Sequence, residues 1–85
     1  MPTIEIFGLG LKPASKFVDK FFVELKKQEP ELAKDVVIIP HTTSFVLNVN
    51  NENQPFLRMW SEELAKLERI KKVVQKFKKI DIEFA

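Results

Sequence analysis

The sequence predicts an α+β fold: a two-layer β-α-β-β-α-β arrangement in which a mixed four-stranded sheet carries two helices on one face. Two observations predict this class. Short segments alternate apolar and polar residues, as half-buried strands do, and two longer stretches repeat apolar residues at helical spacing. Each helical stretch lies between strand segments, which gives two β-α-β halves joined by a polar turn at residues 50–54. We expect a single domain over residues 1–85.

The first half begins with a strand at residues 3–7, "TIEIF". After "GLGLKP", apolar residues recur every three or four positions over residues 13–28, which predicts an amphipathic helix with Pro13 in its first turn. A second strand region is predicted over residues 36–49. Proline cannot donate a hydrogen bond to a strand ladder, so Pro40 is expected at a bulge or an edge position.

The second half begins after the turn with "PFLRMW", which predicts a third strand with Phe56, Arg58 and Trp60 on one face. Ser61 is predicted to cap a second helix that runs to about residue 79. "IDIEF" predicts a short fourth strand. The buried stripe of the second helix is predicted to comprise Leu64, Leu67, Ile70, Val74 and Phe77.

Composition excludes several classes of protein. Apolar residues make up 45% of the chain, which is too many for a disordered segment, and no stretch is apolar enough to span a membrane. There is no cysteine, so disulfides, thiolate nucleophiles and Cys-ligated metals are excluded. We expect a cytoplasmic protein with no metal, no cofactor and no membrane contact. Because 85 residues form only a small core, self-association is also expected.

Two short features admit a chemical and a structural interpretation. His41, the only histidine, has no second histidine or cysteine with which to hold a metal, and pairing with Ser44 in one strand is poorly suited to proton transfer. The structural interpretation is therefore favoured. The glycines of "GLG" at residues 8–10 can cradle an anion or make a turn, and the turn is favoured because a third glycine is missing.

The segment from Lys66 to Lys79 is strongly basic, with seven Lys or Arg residues and the single acid Glu68. Its cations Arg69, Lys72, Lys76 and Lys79 fall at helical spacing. Such a stripe can bind the phosphates of a nucleic-acid backbone, or it can be an ordinary solvent-exposed helix face. No aromatic residue is interleaved on that stripe to stack bases, so nucleic-acid binding is the less favoured interpretation.

Pro2 raises the most specific chemical hypothesis. Methionine is commonly removed before a small residue, and this would leave Pro2 as an N-terminal secondary amine. An α-amino group titrates near pH 8, and burial or a nearby cation lowers its pKa. The product would be a base suited to moving a proton next to a carbonyl. The alternative is that Pro2 only ends a strand, where its missing N–H costs nothing.

Three strings, "MPTIEIFG", "IIPHTTSFVLNV" and "QPFLRMW", resemble the tautomerase (macrophage migration inhibitory factor) superfamily. The resemblance covers nearly the whole chain. It implies an isomerase-type activity on a small oxo-acid, an amino-terminal proline base, cationic residues that hold the substrate carboxylate, and a homo-oligomer, with a trimer expected.

Carried over by position, the resemblance makes Pro2 the catalytic base and Lys12 a substrate-binding residue. Lys12 falls where tautomerases of the oxalocrotonate type have an arginine at the start of the first helix. Their second arginine would fall at residues 36–39, where this chain has only valine and isoleucine. This departure argues against a diacid substrate. Arg58 is the candidate replacement, and its structural alternative is an exposed cation or a subunit contact. Two other functions stay open: a non-catalytic binding or structural domain of the same fold and, less favoured, a basic nucleic-acid-binding module.

Overall fold

The structure is a computed structural model that describes residues 1–43 and 45–85. Its elements, in chain order, are β1 (Thr3–Phe7), α1 (Leu11–Gln28), α2 (Pro30–Ala33), β2 (Val37–His41), β3 (Phe56–Trp60), α3 (Leu64–Gln75) and β4 (Asp81–Phe84). The predicted α+β class and element order are confirmed, with the short helix α2 as an addition.

The four strands form one mixed sheet in the order β2-β1-β3-β4. β2 is parallel to β1, β4 is parallel to β3, and the central pair β1–β3 is antiparallel. Each half of the chain is thus a β-α-β unit, and the two units meet at the central strands. β2 is an edge strand, which confirms the expected edge position of Pro40.

The core lies between one face of the sheet and the helices α1 and α3. The alternation predicted for β1 and β3 is confirmed, because Ile4, Ile6, Leu57 and Met59 are all at most 1% exposed. These strand residues pack against a buried set from the helices, namely Phe17, Phe21, Leu25, Leu67, Ile70, Val73 and Val74. We call the opposite side of the sheet the open face, since neither helix covers it.

The second strand is shorter than predicted, because it ends at His41 rather than continuing to residue 49. β2 pairs with the five residues Thr3–Phe7 of β1. Because β1 ends at Phe7, it has no residue that could pair with the chain beyond His41. Residues 46–54 fold back on themselves instead, with the backbone N–H of Gln54 donating to Val46 O at 2.7 Å. The alternating side chains Phe45, Leu47 and Val49 are consequently exposed.

The second helix is also shorter than predicted. It begins at Leu64 and ends at Gln75, and its N-cap position is Glu63, whereas Ser61 Oγ accepts a hydrogen bond from the Glu63 N–H at 3.2 Å. The prediction that Leu64 belongs to the buried stripe is wrong, because this side chain is 59% exposed. Leu64 is the first residue of the helix and precedes the part that packs on the sheet. Phe77 lies in the turn after α3 and packs against the core as predicted.

Within the described residues, no helix combines the length and apolar character needed to cross a bilayer.

Candidate functional site

Pro2 lies at the start of β1 and is less than 2% exposed. It is in phase with Ile4 and Ile6, which places its ring on the helix side of the sheet. Its carbonyl oxygen accepts a hydrogen bond from the N–H of Val37 at 3.0 Å. Met1, in contrast, is 67% exposed. While Met1 is attached, the nitrogen of Pro2 is an amide and carries no basic lone pair.

Lys12 is the second residue of α1 and is exposed. β1 runs away from Pro2 toward Gly8, and α1 begins only beyond that far end. The five residues of β1 span about 17 Å at roughly 3.3 Å per residue. Pro2 and Lys12 therefore lie at opposite ends of the first strand.

Arg58 sits at the middle of β3, opposite Glu5 of β1 in the strand register. Its side chain is on the open face, where its Nε donates to Glu83 Oε1 at 2.8 Å. The guanidinium also lies over the rings of Phe7 and Phe56, at 5.3 and 5.7 Å from their centroids. Arg58 is thus held by one carboxylate and two aromatic rings on the side of the sheet that faces away from Pro2.

The three residues singled out from the sequence do not converge within one chain. Pro2 is on the helix side at the start of β1, and Lys12 is beyond the other end of that strand. Arg58 is on the open face. A site that uses Pro2 together with either cation needs a residue from a second copy of the chain.

The open face carries an ordered cluster that sequence reasoning did not identify. The rings of His41 and Phe7 stack with centroids 4.4 Å apart, and Phe7 stacks on Phe56 at 4.9 Å. His41 Nε2 lies 3.0 Å from Glu5 Oε1. The sequence does show that the odd-numbered residues of β1 lie on one face of that strand. It does not show that Arg58 and His41 share this face, because that depends on the register between the strands.

The structure favours the structural interpretation of two other features. Gly8 has φ of +86°, and its carbonyl accepts a hydrogen bond from Asn53 Nδ2 at 2.6 Å, so this glycine makes a turn. His41 is tied into the open-face cluster. The pairing of His41 with Ser44 lies outside the described residues.

Two cations of the basic stripe are bound by side chains from the end of α1 and the residue that follows it. Arg69 forms an ion pair with Glu29, and this hydrogen bond raises the pKa of the Arg69 guanidinium. Lys76 Nζ donates to Gln28 Oε1 at 2.8 Å. Lys79 lies beyond the end of α3, which stops at Gln75, so the four cations do not form one continuous helical row.

Comparison with solved structures assigns the fold. The chain superposes on MIF2 of Leishmania major with a TM-score of 0.57 and 14% identity, covering 100% of this chain and 87% of that one. A MIF-like protein of Entamoeba histolytica gives a TM-score of 0.50 at 10% identity, covering 99% and 82%. Pt0534, solved after inactivation by 2-oxo-3-pentynoate, gives 0.50 at 14% identity, covering 99% and 83%.

No protein-family model and no curated protein matches the sequence. The structural likeness establishes that this chain has the tautomerase (macrophage migration inhibitory factor) superfamily fold.

Proposed function

We propose that this chain, which has the tautomerase-superfamily fold, is a single tautomerase-like domain that acts as a cytoplasmic homo-oligomer, with a trimer expected. In this proposal it catalyses proton transfer on a small oxo-acid. Removal of Met1 frees the secondary amine of Pro2, which takes a proton from the carbon next to the substrate carbonyl. The amine then returns the proton to the oxygen or to another carbon of the substrate.

The observation that carries the proposal is the environment of Pro2. The ring is buried and the carbonyl is fixed by the N–H of Val37, whereas the side chain of Met1 is mostly in solvent. Loss of Met1 therefore costs little packing and leaves the amine held in one place. Burial disfavours the charged form of an amine and lowers its pKa, which brings such a base toward neutral pH.

The open face supports the homo-oligomer part of the proposal. It carries Val37, Ile39 and Trp60, which are 38%, 43% and 48% exposed, beside the stacked rings of Phe7 and Phe56. Covering this face with other copies would bury that apolar area.

The chemical test is covalent labelling with 2-oxo-3-pentynoate, the compound that inactivated Pt0534. A free amine at Pro2 adds to the alkyne carbon farther from the ketone, forming a C–N bond while the amine proton moves to the neighbouring carbon. We expect intact-mass and peptide analysis to show one reagent molecule on Pro2. A chain with one residue added before Pro2 presents an amide there, and we expect it to stay unlabelled.

The catalytic test is the enol–keto conversion of an arylpyruvate. Removing a positioned general base costs about 10²–10⁴-fold in rate. We expect the N-terminally extended chain to lose activity to that extent, and Pro2→Ala to retain part of it because alanine still offers a primary amine. Circular dichroism establishes that each variant is folded. Equal turnover by the processed and the extended chains would mean that Pro2 transfers no proton, which would reject the proposal and leave Pro2 as a strand-end residue.

A further inference from the structure

A groove runs over the helical layer between α1 and the turn that follows α3. Four lysines line it, Lys12, Lys16 and Lys20 from α1 and Lys78 from the turn, around the side chains of Phe17 and Phe77. We call it the lysine groove. Its volume is about 430 Å³. It begins beyond the end of β1 that is opposite Pro2, so it is distant from Pro2 and shares only Lys12 with the residues discussed above.

The lysine groove holds a concentration of uncompensated positive charge. Lys20 is paired with Glu24, at 3.7 Å. Among residues 1–43 and 45–85, no carboxylate lies within ion-pair distance of Lys12, Lys16 or Lys78. The three α1 lysines are four residues apart, so they rise along the helix in steps of about 6 Å. A row of this kind matches a chain of negative charges better than it matches a single anion.

The floor of the groove is aromatic. The rings of Phe17 and Phe77 have centroids 5.7 Å apart and are tilted by 35°. Phe17 is buried, whereas Phe77 is only partly covered and follows directly after the cation Lys76. This arrangement supplies the aromatic surface between cations that the stripe on α3 lacks.

A second depression adjoins the lysine groove at Lys78. That lysine also lines a neighbouring depression, which is formed with Asn53, Gln54, Lys79 and Asp81. The second depression therefore adds one more cation, the side-chain amide of Gln54, which can hydrogen-bond to a base edge, and one acid. Two adjacent depressions that share a lysine fit an elongated ligand.

We propose that the lysine groove binds a short stretch of single-stranded nucleic acid, with phosphates along the lysines and bases over Phe77. A positively charged channel with an aromatic platform is the arrangement by which proteins hold single strands without sequence preference. The proposal does not depend on catalysis by Pro2.

The test is fluorescence anisotropy of labelled oligothymidylate and oligouridylate with the full chain, titrated between about 50 and 200 mM salt. The groove variant is Lys16→Gln with Lys78→Gln. The control, Lys26→Gln with Lys27→Gln, removes the same charge from exposed positions at the end of α1. Lys12 is left intact in both, since it is also a candidate substrate-binding residue.

We expect the groove variant to bind at least about tenfold more weakly at low salt and the control to change by less than about twofold. Each phosphate contact contributes about 0.7 to the slope of log K against log salt for single strands, so the groove variant should lower that slope by about 1.4. Phe77→Leu keeps the charge and most of the packing. It should weaken binding by about fivefold or more, because it removes the stacking surface.

Thermal melting of every variant shows whether the fold is retained. The proposal would be overturned by equal weakening in the two double variants, or by the absence of oligonucleotide binding by the unaltered chain at low salt, whether or not the chain binds anionic phospholipid vesicles. A duplex of the same length serves as competitor, and tighter binding of the duplex than of the single strand would also contradict it.

Discussion

The imidazole of His41 lies face to face with the ring of Phe7, and its Nε2 is 3.0 Å from Glu5 Oε1. Two interactions of different kinds thus hold one side chain, and both partners come from β1. The side chains of His41 and Glu5 are 34% and 31% exposed. The open face is therefore an organised layer with defined contacts rather than a loose collection of surface residues.

This relationship predicts a measurable coupling between His41 and Glu5. A hydrogen bond between two side chains contributes about 0.5–1.5 kcal/mol to stability. We expect a double-mutant cycle with His41→Gln and Glu5→Gln, followed by urea unfolding of the four proteins, to give an interaction energy of that size. Strictly additive effects of the two substitutions would mean that the contact contributes nothing to stability.

A second prediction concerns assembly through the open face. Arg58→Glu places a third negative charge beside Glu5 and Glu83, so association through this face should weaken. Light scattering should then return a lower mass for Arg58→Glu than for the unaltered chain. Lys26→Glu makes the same charge change at the end of α1 and should leave the mass unchanged.

The single tryptophan offers an independent readout of the same assembly. Trp60 is on the open face and is 48% exposed in the free chain. Its emission should shift to shorter wavelength as concentration rises and copies cover that face. A single-chain mass together with concentration-independent emission would contradict self-association.

A third prediction compares the two glycines. A Cβ at Gly8 would approach Pro55 Cα to 2.8 Å, and the backbone has positive φ, whereas a Cβ at Gly10 would meet only Pro13 Cδ at 3.9 Å. Left-handed backbone costs a non-glycine residue about 1–2 kcal/mol. Gly8→Ala should therefore lower Tm by about 5–15 °C. Gly10→Ala should change stability by less than about 1 kcal/mol.

A fourth prediction tests the buried stripe of α3. Ile70 is 0% exposed and Leu64 is 59% exposed, although both are aliphatic residues of the same helix. Ile70→Ala leaves a cavity and should lower the free energy of unfolding by about 2–5 kcal/mol. Leu64→Ala should change it by less than about 0.5 kcal/mol. Chemical denaturation of both variants measures the difference, and equal losses would contradict the placement of Leu64 at the surface.

The parts of the fold that follow from local pattern could be predicted from the sequence. Ile4 and Ile6 alternate with polar residues because one face of β1 is buried, and Phe17, Phe21 and Leu25 repeat at helical spacing because α1 covers that face. Both patterns depend only on which face of a strand or helix is buried. They can therefore be recognised from the order of residues along the chain.

The parts that depend on pairing between distant segments could not be predicted. Phe45, Leu47 and Val49 alternate like a strand, but β1 is too short to pair with them. Likewise, nothing local indicates that Glu29 reaches Arg69 or that Phe77 closes a groove against α1. The same holds for the candidate site. Pro2, Lys12 and Arg58 could be chosen from the sequence, but their positions relative to one another depend on the sheet topology and could not be predicted from it.

The exposed position of Met1 has a practical consequence for anyone who prepares this protein. The chain enters β1 from solvent, so an affinity tag or cleavage remnant ahead of Pro2 can be accommodated without disturbing Ile4 or the strands. Such a sample would fold, yet its proline nitrogen would be acylated. Under the proposed chemistry, a well-behaved tagged preparation gives a false negative in an activity screen, and expression with a native amino terminus or a carboxy-terminal tag avoids it.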